Sequence, residues 1–340
     1  MSGHRSRLGG FVGAVALTMG CAAAAVWVGG SGPAEDRSAS GPSAGRHVRV
    51  TPYLSAWAAR TYDMAAAVPR GIDEFTLAFV VAGRGCAPRW DGGTALDDRA
   101  LERRIAALRK AGGDVRVSFG GAEGTEPARV CRNATELAAA YGTVIDRYRL
   151  TRIDFDIEGA TLADTAASTR RARAAALLQR SRPSLEVSFT LPAMPSGLTA
   201  PGLALLKEAK ARGVTVSAVN VMAMNYGAAH TGDMGAYAVR AATAAHGQLR
   251  QALGLSPAGA WKVLAVTPMI GLNDVPGEVF TVRDAAALAR FAADKGVGRL
   301  SMWSAERDRP CAAATDKPAV RCSGVTQARG DFAAALSGTG

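Results

Sequence analysis

Beyond residue 47 the apolar positions alternate between two rhythms. Short β-rich runs occupy 48–54, 75–81, 115–119, 153–157, 185–191, 216–224, 263–267 and 300–303. Between them, 97–111, 136–148, 165–179, 202–212, 235–253 and 282–295 carry apolar residues at three- and four-residue intervals, the signature of helices that bury one face. Strands separated by helical crossovers pair in parallel. Eight such units within roughly 290 residues predict an α/β fold closed into a (β/α)8 TIM barrel, a single catalytic domain over 47–340. A doubly wound dinucleotide fold fits less well, because no G-x-G-x-x-G follows the first strand.

The first 46 residues break this rhythm. His4, Arg5 and Arg7 precede an apolar stretch at 11–28, the order of an export signal or an uncleaved anchor. Its many Gly and Ala residues make it a weak span, so 1–28 is expected to be cleaved. Cys21 is at most a lipoprotein acylation site, since Thr18 stands where such sites usually carry Leu. The stretch 29–46 is rich in Gly, Ser, Pro and Ala with no apolar period, which predicts a disordered linker. Within it Gly41, Ser43 and Gly45 match G-x-S-x-G, but no strand and helix flank the Ser as a hydrolase elbow requires.

Composition narrows the class. With 340 residues, 48% hydrophobic and 20% charged, the chain can bury a large core and is neither collagenous nor polytopic. The net charge of +11 comes mostly from scattered Arg, as at Arg170, Arg171, Arg173 and Arg180, with no basic run. That argues a solvated basic surface and no nucleic-acid partner. Export favours disulfides. Cys86, Cys131, Cys311 and Cys322 allow three pairings, of which Cys86 with Cys131 and Cys311 with Cys322 is preferred because each pair flanks loops after neighbouring or shared elements. His47, His230 and His246 are isolated and no metal-ligand spacing occurs, so neither metal nor cofactor is expected.

The chemistry concentrates in the fourth strand, Arg152-Ile-Asp-Phe-Asp-Ile-Glu-Gly159. A period of two sends Asp154, Asp156 and Glu158 to one face and Ile153, Phe155 and Ile157 to the other. No Lys or Arg interleaves among the three acids. A solvated acidic edge is one reading, and a metal site another, although barrel metals usually recruit ligands from several strands. The favoured reading is an acid catalyst: mutual repulsion and burial raise a carboxyl pKa and keep one group protonated near neutral pH. Glu158, nearest the strand's carboxyl end, is then the proton donor, and Asp156 shares a proton with its acidic neighbours as part of a coupled set.

These residues resemble glycoside hydrolase family 18, the chitinase family, whose D-x-x-D-x-D-x-E signature is met here by D-x-D-x-E, with Leu150 or Thr151 at the leading position. Ser118-Phe-Gly-Gly121 is similar to the family's S-x-G-G, and further likenesses run through 190–198, 222–227, 267–274 and 302–308. Together they look like the single-domain bacterial branch. The resemblance implies substrate-assisted retention, in which the sugar's own N-acetyl carbonyl attacks the anomeric carbon. It implies that Glu158 is the acid and later the base, that Asp156 binds the acetamido N–H, that Asp154 tunes Asp156, and that Tyr226 donates to the acetamido oxygen. Met222, Met224, Ser118, Gly120 and Gly121 become candidate substrate contacts, with barrel packing the competing role for the two Met and a tight turn for the two Gly. Trp303 would floor the subsite of the reactive sugar. Asn225 departs from the Asp that close relatives often carry, yet still offers a donor and an acceptor.

Only 6% of residues are aromatic and no row of Trp is evident, which argues against a separate chitin-binding module or a processive track. The expectation is a secreted, monomeric chitinase acting on chitin or chito-oligosaccharides, touching a membrane only if the amino-terminal segment stays uncleaved. An endo-N-acetylglucosaminidase acting on glycoprotein glycans and a catalytically weak chitin-binding lectin are the alternatives. The lectin is disfavoured by the presence of Glu158.

Overall fold

A computed structural model describes residues 48–338. The expected signal, linker and Cys21 lie outside the described residues, as does His47. The barrel is present: eight parallel strands, β1 (Tyr53–Ser55), β2 (Glu74–Ala82), β3 (Asp114–Gly120), β4 (Arg152–Asp156), β5 (Glu186–Met194), β6 (Val216–Ala223), β7 (Leu264–Pro268) and β8 (Arg299–Leu300), pair in chain order. Closure comes at the seam, where Val50 bridges Leu300 in parallel and the Thr51 and Tyr53 N–H groups donate to the Leu300 and Met302 carbonyls at 2.9 and 3.0 Å. Few rungs form there, so the runs expected at 48–54 and 300–303 appear as short strands with extended flanks.

Helices form where the apolar period placed them, as α1 (Arg99–Lys110), α2 (Ala134–Tyr148), α3 (Thr165–Ser181), α4 (Ala200–Ala211), α5 (Met234–Leu253) and α6 (Val282–Lys295), whereas α7 (Asp331–Ser337) lies beyond every stretch the period marked. Local chemistry sets their ends. Asp98 accepts from the Ala100 and Leu101 N–H groups to start α1, whose Leu101, Ile105 and Leu108 turn inward. Thr281 and Asp284 close a reciprocal capping box on α6, and Gly296 ends it in the left-handed region at φ 72°.

Alternation within the strands divides the core in two. Ile153, Phe155 and Ile157 face the helices and are fully buried, with Phe155 between Phe119 and Phe189 at ring distances of 5.8 and 5.6 Å. The opposite face lines the barrel interior in polar layers. At the amino-terminal end, buried Arg116 pairs with Glu74 at 3.1 Å and also reaches Glu186, and Arg152 lies near both acids. Cations absent among the three acids are therefore supplied from below by β3, β8 and the start of β4. Burial and the neighbouring Arg116 charge push Arg299 down to about 10, against the opposing pull of Glu74 and Asp154.

Candidate active site

Above the arginine layer sits Asp154, fully buried. Its Oδ2 accepts from Ser118 at 2.8 Å, Thr190 at 3.0 Å and Tyr53 at 3.1 Å, and its Oδ1 from Ser188 at 2.6 Å. Behind these hydroxyls, Asn220 donates to Thr190 at 3.1 Å and accepts from Thr267 at 2.8 Å. Strands β1, β3 and β5 thus clamp one carboxylate, backed by β6 and β7, which fixes the strand whose next inward residues are Asp156 and Glu158.

Asp156 and Glu158 meet in a cleft of about 460 Å³ at the carboxyl ends of the strands, with Met222, Met224, Asn225 and Trp303 also in its wall. Asp156 is nearly fully buried, and its Oδ1 has no partner among the described residues. Burial first, then the charges of Glu158 and Asp154, hold its carboxyl well above the usual range. Glu158 stands less deep, in extended backbone just past β4. Burial and then the negative charge of Asp274 push it up to about 7. A carboxylic acid of that strength is protonated through the mildly acidic range and able to donate.

Asn225 uses both halves of its amide. Its Nδ2 donates to Asp274 Oδ2 at 3.0 Å, and its Oδ1 accepts from the Asp274 N–H at 3.0 Å. A second carboxylate at 225 would repel Asp274 and lose the donor, so the departure from Asp suits this neighbourhood. At φ 52° Asn225 is also in the left-handed region, which Asn tolerates better than most residues.

Other sequence candidates take places behind the wall. Tyr226 follows that left-handed turn and packs against His230 and Tyr237 at 6.0 and 5.9 Å. Its hydroxyl is buried and unpartnered among the described residues, and burial with the nearby Glu278 charge raises its pKa. Ser118 lies beneath the cleft on Asp154. Gly120 and Gly121 are absent from the cleft wall and serve close approach: the Gly121 N–H donates to the Asp156 carbonyl at 2.9 Å, and a Cβ at Gly120 would lie 2.1 Å from that same oxygen. Of the motif at 302–308, only Trp303 reaches the cleft. Arg307 binds the Ile270 and Leu272 carbonyls, and Asp308 accepts from the Phe332 and Ala333 N–H groups at the start of α7.

Several cleft residues escaped the sequence reading. Phe79 stacks on Trp303 with rings 5.5 Å apart and 18° between planes, and Tyr53 tilts against both. Phe79 belongs to an uninterrupted apolar run, where periodicity cannot separate a floor residue from core. Asp91, Glu123 and Asp274 also line the cleft from loops, where no period exists. The Cys86–Cys131 and Cys311–Cys322 bridges form as preferred. Among the described residues no cluster of potential ligands could hold a metal ion.

No family model matches the chain. It is 37% identical over 284 residues to the probable bifunctional chitinase/lysozyme of Escherichia coli (strain K12), an alignment covering 78% of this chain and 31% of that protein. It is 37% identical over 260 residues to Endochitinase 11 of Metarhizium anisopliae, covering 71% of this chain and 48% of that one. The matched part thus spans less than half of either relative. Active domain 2 of the thermostable chitinase from Pyrococcus furiosus, solved as catalytic-site mutants complexed with chito-oligosaccharides, is similar at a TM-score of 0.77 and 31% identity, over 87% of this chain and 96% of that one.

Proposed function

The chain belongs to glycoside hydrolase family 18, the chitinase family, and from that membership we propose that it is a secreted chitinase that hydrolyses β-1,4 bonds between N-acetylglucosamine units with retention of configuration. One observation carries the reading: a glutamic acid pushed up to about 7 stands in the cleft beside an aspartate with an unpartnered oxygen.

Protonated Glu158 gives its proton to the glycosidic oxygen as the C1–O bond breaks. The acetamido carbonyl oxygen of the same sugar attacks C1 and closes an oxazolinium ring. Asp156 Oδ1 accepts the acetamido N–H and so orients the carbonyl oxygen towards C1. Glu158, now a carboxylate, takes a proton from water, which attacks C1, reopens the ring and leaves a β-anomeric product. One feature favours the sugar's own nucleophile over an enzyme carboxylate. Asp156, the acid nearest Glu158 in the strand, is held towards its neutral form by burial and is a poor nucleophile in that form. The stacked Phe79 and Trp303 offer an apolar floor against which a pyranose face can settle.

Export is supported by the charged and then apolar order of residues 4–28 and by the two disulfides, which persist in oxidising compartments. The activity is tested with chitotetraose followed by proton NMR. The wild type should release β-anomer first, and Glu158→Gln should lower turnover by about 10³-fold or more while oligomer affinity stays within a few fold. An initial α-anomer, or a Gln variant with normal turnover, overturns the mechanism.

A further inference from the structure

Every charged group in the wall of the cleft has the same sign. Asp91, Glu123, Asp156, Glu158 and Asp274 line it, and among the described residues no Lys, Arg or His does, although the chain as a whole carries +11. Asp156 and Glu158 belong to the reaction, and Asp274 is tied to Asn225. Asp91 and Glu123 have neither role, and neither is in an ion pair among the described residues.

Both acids are held next to Phe79. Asp91 follows the short strand Pro88–Trp90, which pairs antiparallel with β2, and its N–H donates to the Phe79 carbonyl at 3.1 Å. Glu123 rides on a loop pressed against the same strand end. A Cβ at Gly121 would lie 2.7 Å from the Phe79 ring and one at Gly124 2.9 Å from Val81, while the Ala82 N–H donates to the Thr125 carbonyl at 2.8 Å. Burial holds the Asp91 carboxyl above its ordinary range against the pull of the Phe79 backbone and of Arg60, and the charge of Glu123 adds to the rise. Arg60 itself is committed to Asp98 at 2.5 Å.

A neutral ligand settling on the Phe79–Trp303 floor takes water from these carboxylates and returns only hydroxyl donors. A cation returns charge as well. Independently of the two acids, Asp156 is only 4% exposed, and its unpartnered Oδ1 belongs to the same cleft, a buried acceptor that calls for a polar donor on the ligand. That acceptor takes the acetamido N–H of the reacting sugar, whose carbonyl is the nucleophile, so that unit must keep its acetyl group. The cation then belongs on a neighbouring unit, where loss of an acetyl group leaves the C2 ammonium of glucosamine. We propose that Asp91 and Glu123 are specificity-determining residues that bind the ammonium of a glucosamine unit next to the reacting sugar, which makes partially N-deacetylated chitin the preferred substrate. The proposal rests on the chitinase reading and narrows its substrate.

The test compares kcat/KM for a partly N-deacetylated hexamer with that for chitohexaose, at about pH 6, where the sugar amine is protonated. The proteins are wild type, Asp91→Asn, Glu123→Gln and the double variant. Asn is chosen because residue 91 stands at φ 49°, which Asn tolerates. The readout is the ratio of the two kcat/KM values, so a general loss of turnover cancels. Wild type should favour the amine-bearing oligomer. Each single variant should lower the ratio about threefold, and the pair on the order of tenfold. A ratio that the double variant leaves unchanged, or a wild type that favours the fully acetylated oligomer, overturns the assignment of Asp91 and Glu123 and leaves the activity standing. A wild type that cleaves neither oligomer overturns the activity, and the same ratio taken from calorimetric Kd values then decides the role of the two acids on its own.

Discussion

Replacing Glu158 by Gln should make the protein more stable, and only at higher pH. In the folded chain the carboxyl is raised from the ordinary 4.5 to about 7, chiefly by burial and secondly by Asp274. At 1.36 kcal/mol per pH unit this displacement amounts to about 3 kcal/mol. Glu158 is partly exposed, so solvent screening reduces the figure to about 2 kcal/mol. The sign follows from which state ionises first. Below 4.5 the group is protonated whether the chain is folded or unfolded, and it contributes no pH-dependent penalty. As the pH rises towards 7 the unfolded chain ionises first and the folded state loses stability, with the loss complete above about 7. Gln has nearly the same shape and no proton to lose. The charge of Glu158 also helps raise Asp156, so its removal relieves a second strained group in the same direction. Urea unfolding with the disulfides intact should show the two proteins alike at about pH 4 and the Gln variant ahead by about 2 kcal/mol at about pH 8. A wild type equal to or more stable than the variant at the higher pH would mean that the carboxyl is well solvated, and the acid-catalyst assignment would lose its physical basis.

Asp274→Asn should move the alkaline limb of the pH–rate profile to lower pH, from near 7 by up to about one unit. The neighbouring charge that opposes Glu158 ionisation disappears, while Asn225 keeps an oxygen to donate to. A profile measured on a soluble chito-oligomer that is unmoved, or moved upward, refutes the electrostatic link. Gly120→Ala should be severely destabilising or insoluble, by about 3 kcal/mol or more, because φ is 107° and the new Cβ would meet the Asp156 carbonyl oxygen at 2.1 Å. Gly213→Ala, with φ 80° but open space around it, should cost only about 1 kcal/mol, and equal thermal shifts for the two would refute the steric account.

The regular elements were legible because burial on one side imposes a period, and the fourth strand is the sharpest case. Its alternation stated which three acids share a face before any fold was drawn, and the barrel makes that face the interior. The period could not state how deep each acid sits or what lies around it. Depth comes from the register of neighbouring strands, which brings Ser118 and Ser188 beside Asp154 and leaves Glu158 beyond the last ladder rung. The arginine layer did leave a trace: Arg116 interrupts the apolar run Val115 to Phe119, and an inward Arg in a barrel strand needs acids such as Glu74 nearby. Phe79 and Asp274 left none, since an aromatic in an apolar run and a single residue in a loop look the same whether they pack, bind or stand free. The acidity of Glu158 follows from this vertical arrangement. Moving up β4, buried cations give way to hydroxyl donors, then to an aspartate with an unpartnered oxygen, then to a glutamate that faces another carboxylate across the cleft. A negative charge meets less compensation beyond Asp154, so both upper carboxyls are raised, and Glu158 is the one that stands where the strand ends and a glycosidic oxygen can reach it.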